Sequence, residues 1–494
     1  MLFDSSKFLR WLAPRVAETR QPPQPGDVVI GLDMQGRPFE VPRPTNVNAA
    51  HALVLAASGS GKSAMISYLL SKSILFDSTL PKDDQQTILV GDPKGDTIAL
   101  LIAAIAAEIP SKLSDIIYLS PFQFGIPFNL NLLASDGLPA QIRSRQVTDI
   151  VSVVSTSVGA QKSLGAGSRQ TFAWLQFFLA ALTVPHERAN ILLAADGLQS
   201  EKGQKILAAS TTSPEAREYL ENTKLSEELR TSCLARLQLC FGATPLQTAC
   251  FSAPTALNFA EIFSSGKIVL VDLSNPTGGL ISLQSLWGNL LFRFMFEYLL
   301  AQKSGTARHT RVYLDEAQTL APVLADLAER VATVGRSLGI SATYASQGAA
   351  LIQDASPTLW KILSTNTPLK IIGRSNVSDS KAFSAEQAPA PGTDESISSL
   401  HTSLQSGIVG LKDREFYGFR PGGERMKFRS VDADVAGWRK AAEGRSAEIE
   451  EIKRAYGISA TQPPRLTLTE LAGADKRRST ATASRPTTPK SKWG

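Results

Sequence analysis

Hydrophobic residues along this chain fall into two alternating patterns. Short, almost unbroken apolar runs appear as "ALVLAA" at 52–57, "TILVGD" at 87–92, "IIYL" at 116–119 and "KIVLVDL" at 267–273. The series continues with "RVYLDE" at 311–316, "SATYAS" at 341–346, "LKIIG" at 369–373 and "IVGL" at 408–411. Runs of this length without polar alternation predict strands buried on both faces. Between several of them lie longer segments with apolar residues every three or four positions, such as 62–76 and 283–302. Strands alternating with helices predict an α/β fold, a mostly parallel sheet covered on both sides. Ahead of the first run, "DVVIGLDMQGRPFEV" at 27–41 has two apolar runs around a Gly-containing turn and predicts a hairpin.

One interval breaks the rhythm. From 136 to 262 strand signal nearly vanishes and helical periodicity dominates, as in "QIRSRQVTDIVSVVSTSV" and "SRQTFAWLQFFLAALTV". This predicts an all-α domain inserted between two parts of an α/β core, 27–135 and 263–430. An amphipathic N-terminal helix and the Pro-rich hinge "RQPPQPG" occupy 1–26, and a helical extension fills 431–471. Residues 472–494 carry six Lys or Arg against one Asp with almost no apolar content, the composition of a disordered basic tail.

Composition narrows the picture modestly. The 494 residues are 43% hydrophobic, enough for a large soluble core, and the net charge of +6 permits a polyanionic partner without demanding one. Cys233, Cys240 and Cys250 have no disulfide-framework spacing and read as reduced, buried thiols of a cytosolic protein. The four histidines are scattered singly, so no metal-ligand spacing exists. The longest apolar run, Ile98 to Ala107, is about half of the roughly 20 residues a membrane span needs.

The strand at 52–57 leads into "AASGSGKS", residues 56–63, and a helical segment follows. Strand, glycine-rich loop and helix are the context of a phosphate-binding loop, G-x-x-x-x-G-K-[ST], although Ala56 stands where the first Gly is expected. In such a loop backbone N–H groups converge on a β-phosphate. The residues from Ser58 through Gly59, Ser60 and Gly61 to Lys62, Ser63 and Ala64 would form the cradle. Lys62 would meet the β- and γ-phosphates, and Ser63 would offer a hydroxyl to Mg²⁺. Ala56 sits at the strand exit, where a methyl is tolerated if φ stays negative.

A nucleotide hydrolase also needs a strand that ends in acid. In "RVYLDEAQTLAP", Asp315 would hold the Mg²⁺ shell and Glu316 would orient the attacking water. Downstream, Gln347 ends the "SATYAS" strand, and strand ends of one parallel sheet face the same ligand edge. It would bond the γ-phosphate or the water, or else only loop backbone. Arg336, at the turn before that strand, is either a locally paired residue or a finger for a neighbouring subunit's site. "GDPKGD" at 91–96 ends another strand; Asp92, Lys94 and Asp96 either reach the nucleotide, a metal or a neighbour, or form a charged turn.

The ordered set "AASGSGKS", "GDPKGD", "FNLNLL", "KIVLVDL", "LDEAQTLAP" and "GRSLGISATYASQG" resembles the type IV secretion coupling proteins, within the HerA/FtsK superfamily of RecA-like, ring-forming DNA pumps. The resemblance covers roughly residues 27–430. It implies a RecA-like P-loop NTPase core with ATP and Mg²⁺ at Lys62, Ser63 and Asp315. It further implies a catalytic Glu316, a motif glutamine at Gln347 and an inter-subunit arginine finger at Arg336. It implies a homo-hexamer around DNA, with the helical insert receiving a relaxase or other secretion component. Coupling proteins usually begin with transmembrane helices, and none is visible here. The expectation is therefore a cytoplasmic protein, either docked at the inner face of the cell membrane through a partner or a soluble relative. Two other readings stay open: a HerA-type translocase acting with a nuclease in repair or phage defence, and a substrate-recruiting adaptor with a nucleotide-dependent assembly switch. The loop "SNPTGG" at 274–279 is a candidate pore element.

Overall fold

The computed structural model describes residues 25–44, 51–128 and 166–473, apart from 187, 243, 254–256, 265, 276–280, 302–307, 388–394, 421–423 and 459–464. The predicted N-terminal helix, the basic tail, most of "FNLNLL", the helical stretch at 141–158 and most of "SNPTGG" lie outside the described residues. Two compact units emerge, one drawn from residues 1–120, 259–278 and 287–455, the other from 121–258, 279–286 and 456–494.

The first unit is built on one 11-stranded sheet ordered β2-β1-β11-β10-β9-β3-β8-β7-β4-β6-β5. Its strands are β1 (Val28–Leu32), β2 (Pro38–Val41), β3 (Ala52–Leu55), β4 (Thr87–Asp92), β5 (Ile116–Leu119), β6 (Ile268–Asp272), β7 (Thr310–Leu314), β8 (Ile340–Ser346), β9 (Leu369–Gly373), β10 (Glu415–Phe419) and β11 (Arg425–Ser430). From β9 to β5 every pairing is parallel. The four pairings that run from β9 through β10, β11 and β1 to β2 are antiparallel. The continuous apolar runs account for this division: β3, β4, β5, β6, β7 and β9 are buried at every position. By contrast β11 alternates buried and exposed residues, as a strand with one wet face should.

The expected hairpin is present as β1 and β2, closed by Asp33 and a left-handed Gly36. One expected strand is not a strand. Ile408 and Val409 instead end the helix Glu395–Val409. Ile397, Leu400, Leu404 and Ile408 recur at helical spacing, and that longer period overrides the short apolar run. The strands β10 and β11 were not expected, because their runs mix charged residues with aromatic ones.

Helix α1 (Lys62–Ser78) follows β3, and α2 (Asp96–Glu108) follows β4. Both start behind a left-handed glycine, Gly61 with φ 90° and Gly95 with φ 81°. Helix α3 (Val435–Glu443) packs on α2, where Trp438 buries its ring against Ala103 and Ala104 and its indole N–H donates to Glu108 Oε1 at 3.2 Å.

In the second unit the described residues form helices only, with no strand. Ala166–Leu182, Leu192–Leu198, Glu201–Ser210, Pro214–Asn222, Glu227–Leu237 and Pro245–Ser252 are its main members. Four have side-chain caps, from Ser200, Ser213, Ser226 and Thr244, each accepting a backbone N–H of the first turn. Phe178, Phe241 and Phe251 stack edge to face in its core. The three cysteines are free and buried there.

Candidate functional site

Sequence neighbours do not make this site; strand order does. Strand β8 lies between β3, which carries the glycine-rich loop, and β7, which ends in Asp315 and Glu316. Strand β4 flanks β7 on the other side. All four run parallel, so the ends that carry Ala56, Gln347, Asp315 and Asp92 share one edge.

The loop after β3 is strung between neighbours. Ala56 N–H donates to Ser346 carbonyl at 3.1 Å and Ala57 N–H to Arg374 carbonyl at 2.9 Å. Gly59 and Gly61 take left-handed φ values of 77° and 90°, which side chains resist. The only described non-glycine residues with positive φ are Glu316 and Arg414, so Ala56 keeps the negative φ its methyl requires. That methyl has room because its neighbour lacks one: a Cβ on Gly373 would sit 2.7 Å from the Ala56 Cβ. Ser58 and Gly59 are exposed, Ser60 is buried with an unpartnered hydroxyl, and Ser63 and Ala64 are half-buried in the first turn of α1. No side chain caps that turn. Its leading N–H groups therefore form the positive end of a helix dipole, suited to an anion.

Lys62 Nζ donates to Asp315 Oδ1 at 2.5 Å and lies 3.8 Å from Glu316 Oε1. The other Asp315 oxygen accepts from Thr97 Oγ1 at 2.7 Å, and Asp315 Oδ1 also takes the Glu316 N–H at 2.9 Å. Glu316 is held at φ 48°, a left-handed value a glutamate adopts only when its surroundings compel it. Gln347 Nε2 straddles the Glu316 carboxylate at 3.0 and 3.1 Å, and Gln318 donates to Oε2. The residue after Gln347 is packed closely: a Cβ on Gly348 would collide with the Asp379 carboxylate, which accepts the Ala350 N–H at 2.8 Å.

The "GDPKGD" segment resolves into distinct parts. Asp92 caps α2, accepting the N–H groups of Lys94 at 2.8 Å, Thr97 at 2.8 Å and Ile98 at 3.3 Å. Burial, with the nearby charge of Asp315, pushes its carboxyl up to about 6 despite those donors. Asp96 is exposed. Lys94 reaches across to Glu316 Oε1 at 2.7 Å. Thr97 and Gln318 carried no sequence signal; Lys94 did, through its motif. Arg336 falls on the short 3-10 turn Gly335–Leu338 ahead of β8, and its side chain lies outside the described residues.

The arrangement suits a magnesium-bound nucleoside triphosphate. Lys62, the uncapped helix start and the two left-handed glycines fit phosphate, while the Ser63 hydroxyl and Asp315 carboxylate are the hard oxygen donors Mg²⁺ takes. Among the described residues no cluster of three or more His, Cys, Asp and Glu has the geometry to hold a metal ion. Among them, too, no helix is long and apolar enough to cross a membrane.

No protein-family model matches the chain, and no curated protein matches it by sequence. Solved structures do. VirB4 of Thermoanaerobacter pseudethanolicus superposes with a TM-score of 0.53 at 15% identity, over 82% of this chain and 96% of that one. The plasmid coupling protein TrwB in complex with ADP and Mg²⁺ gives 0.53 at 17% identity, over 86% and 93%. The unbound bacterial conjugative coupling protein TrwB gives 0.52 at 16%, over 86% and 92%. At these identities the likeness establishes architecture: the chain has the RecA-like, P-loop α/β fold shared by VirB4 and TrwB.

Proposed function

We propose that this protein is an ATPase that moves DNA, a coupling ATPase of conjugative type IV secretion. The observation that carries the reading is the convergence of Lys62, Asp315, Glu316 and Gln347 on one sheet edge, with Lys62 and Asp315 2.5 Å apart. A shared fold with a coupling protein solved with ADP and Mg²⁺ supports it.

In this reading Lys62 leaves Asp315 for the β- and γ-phosphates. Ser63 and Asp315 would hold Mg²⁺, which when bound would supply Lewis-acid neutralisation of the phosphate charge. Residues 58–64 bind the phosphates through backbone N–H groups. Glu316, freed from Lys62, orients a water for in-line attack and takes its proton, a contribution of about 10²- to 10⁴-fold. Gln347 keeps the Glu316 carboxylate aligned. Arg336 of a neighbouring subunit stabilises the transferring charge, so the active particle is a ring, a homo-hexamer with DNA in its channel. The helical unit receives a relaxase or another secretion component, and a partner protein docks the ring at the inner face of the membrane.

The test is ATP turnover of the full chain with DNA titrated in, beside Lys62→Ala, with particle mass recorded in the presence of nucleotide. The reading expects DNA-stimulated hydrolysis by a multimer, lost in Lys62→Ala. Negligible, DNA-independent hydrolysis would point to a nucleotide-switched adaptor instead.

A further inference from the structure

Glu316 is gripped from both flanks of its strand. Gln347, at the end of β8, and Lys94, in the loop after β4, approach from opposite sides of β7. The two lysines around this carboxylate are not equivalent. Lys62 belongs to the loop after β3, and its nearer partner is Asp315. Lys94 hangs from β4, separated from the phosphate loop by β8 and β7, and Glu316 is the carboxylate it bonds. Its loop is tied down by hydrogen bonds: Asp92 Oδ1 accepts the Lys94 N–H at 2.8 Å while Oδ2 accepts the Thr97 N–H of the next helical turn. Glu316 itself is 7% exposed and Lys94 48% exposed, so a buried acid is closed by a cation at its rim.

We propose that Lys94 is a positioning residue of this ATPase, acting through Glu316 rather than on the nucleotide. The inference rests on the proposed function. Once triphosphate draws Lys62 away, Lys94 is the remaining cation that pairs with Glu316 among the described residues. Gln347 and Gln318 contribute neutral donors. The charge-assisted bond from Lys94 fixes Oε1, while Gln318 holds Oε2 and Gln347 bridges both oxygens, so the cation sets the carboxylate's orientation at the rim. A carboxylate that orients water must be held closely, since a displacement of about 1 Å costs on the order of a hundredfold in rate.

The experiment is steady-state ATPase of the full-length protein with saturating DNA, with fluorescent-ADP binding measured in parallel. Lys94→Ala should lower kcat by about tenfold to a hundredfold, with KM for ATP and ADP affinity within about twofold of wild type. Lys94→Arg should restore most of kcat. Lys94→Ala combined with Glu316→Gln should be no slower than Glu316→Gln alone, because residues acting as a unit are not additive. Unchanged kcat, additive losses, or a weakened ADP affinity would each overturn the assignment, the last by making Lys94 a nucleotide contact. A wild-type protein without turnover would remove the ATPase reading and this assignment with it, a result distinct from all of those.

Discussion

The ammonium of Lys62 lies 2.5 Å from Asp315 Oδ1, joining positions 253 residues apart in sequence. Both side chains are buried, 7% and 5% exposed. A buried pair is costly to break from one side, because the surviving charge keeps its desolvation penalty. Lys62→Ala should therefore abolish ATP turnover and also destabilise the nucleotide-free protein, by about 3 kcal/mol. Urea unfolding beside an ATPase assay reads both. A loss of turnover with wild-type stability would mean the pair is not formed in solution.

Glu316 and Arg336 should separate chemistry from binding. Glu316→Gln keeps the side chain's size and removes the base, so kcat should fall by about 10²-fold or more while nucleotide binding survives. Arg336→Ala should lose turnover without losing ATP binding, and mixing it with Lys62→Ala protein should restore activity only if the site is shared between subunits. A fully active Arg336→Ala protein would dispose of the composite site.

Ala56 and Gly373 form a matched pair, since a Cβ on Gly373 would meet the Ala56 methyl at 2.7 Å and the Phe416 ring at 2.9 Å. Gly373→Ala should cost about 1–3 kcal/mol of stability through overpacking and weaken ATP binding by shifting the loop. Ala56→Gly should be tolerated and should recover part of the loss in the double variant. Independent, additive effects in thermal unfolding would show that the two residues do not touch.

Asp92 gives a pH signature. Its carboxyl, raised to about 6 from an ordinary 3.8, carries a charge above pH 6 that burial penalises. Between those values the native state binds a proton the unfolded chain lacks, so this group adds stability as pH falls through that window. The contribution is on the order of 3 kcal/mol. Asp92→Asn removes this dependence. The gap between its unfolding free energy and that of wild type should therefore shift in favour of the variant from pH 4 to pH 8. A constant gap would refute the raised pKa.

Some of this protein could be read along the chain, because the relevant physics is local. Uninterrupted apolar runs specify strands buried on both faces. A glycine-rich turn ahead of a helix specifies converging N–H groups, and an apolar run ending in Asp-Glu marks an acidic strand end. Local pattern failed where local signals were mixed: the charged, aromatic β10 and β11 gave no clear period, and Ile408 belonged to a helix rather than a strand. Tertiary structure alone decided the order of strands, because pairing partners are chosen by faces and crossovers rather than by proximity in sequence. That order puts β8 between the phosphate loop and the acidic strand, and β4 beyond it. From it follow Gln347 and Lys94 on the two flanks of Glu316, Thr97 beneath Asp315, and the glycine at 373 that makes room for the alanine at 56.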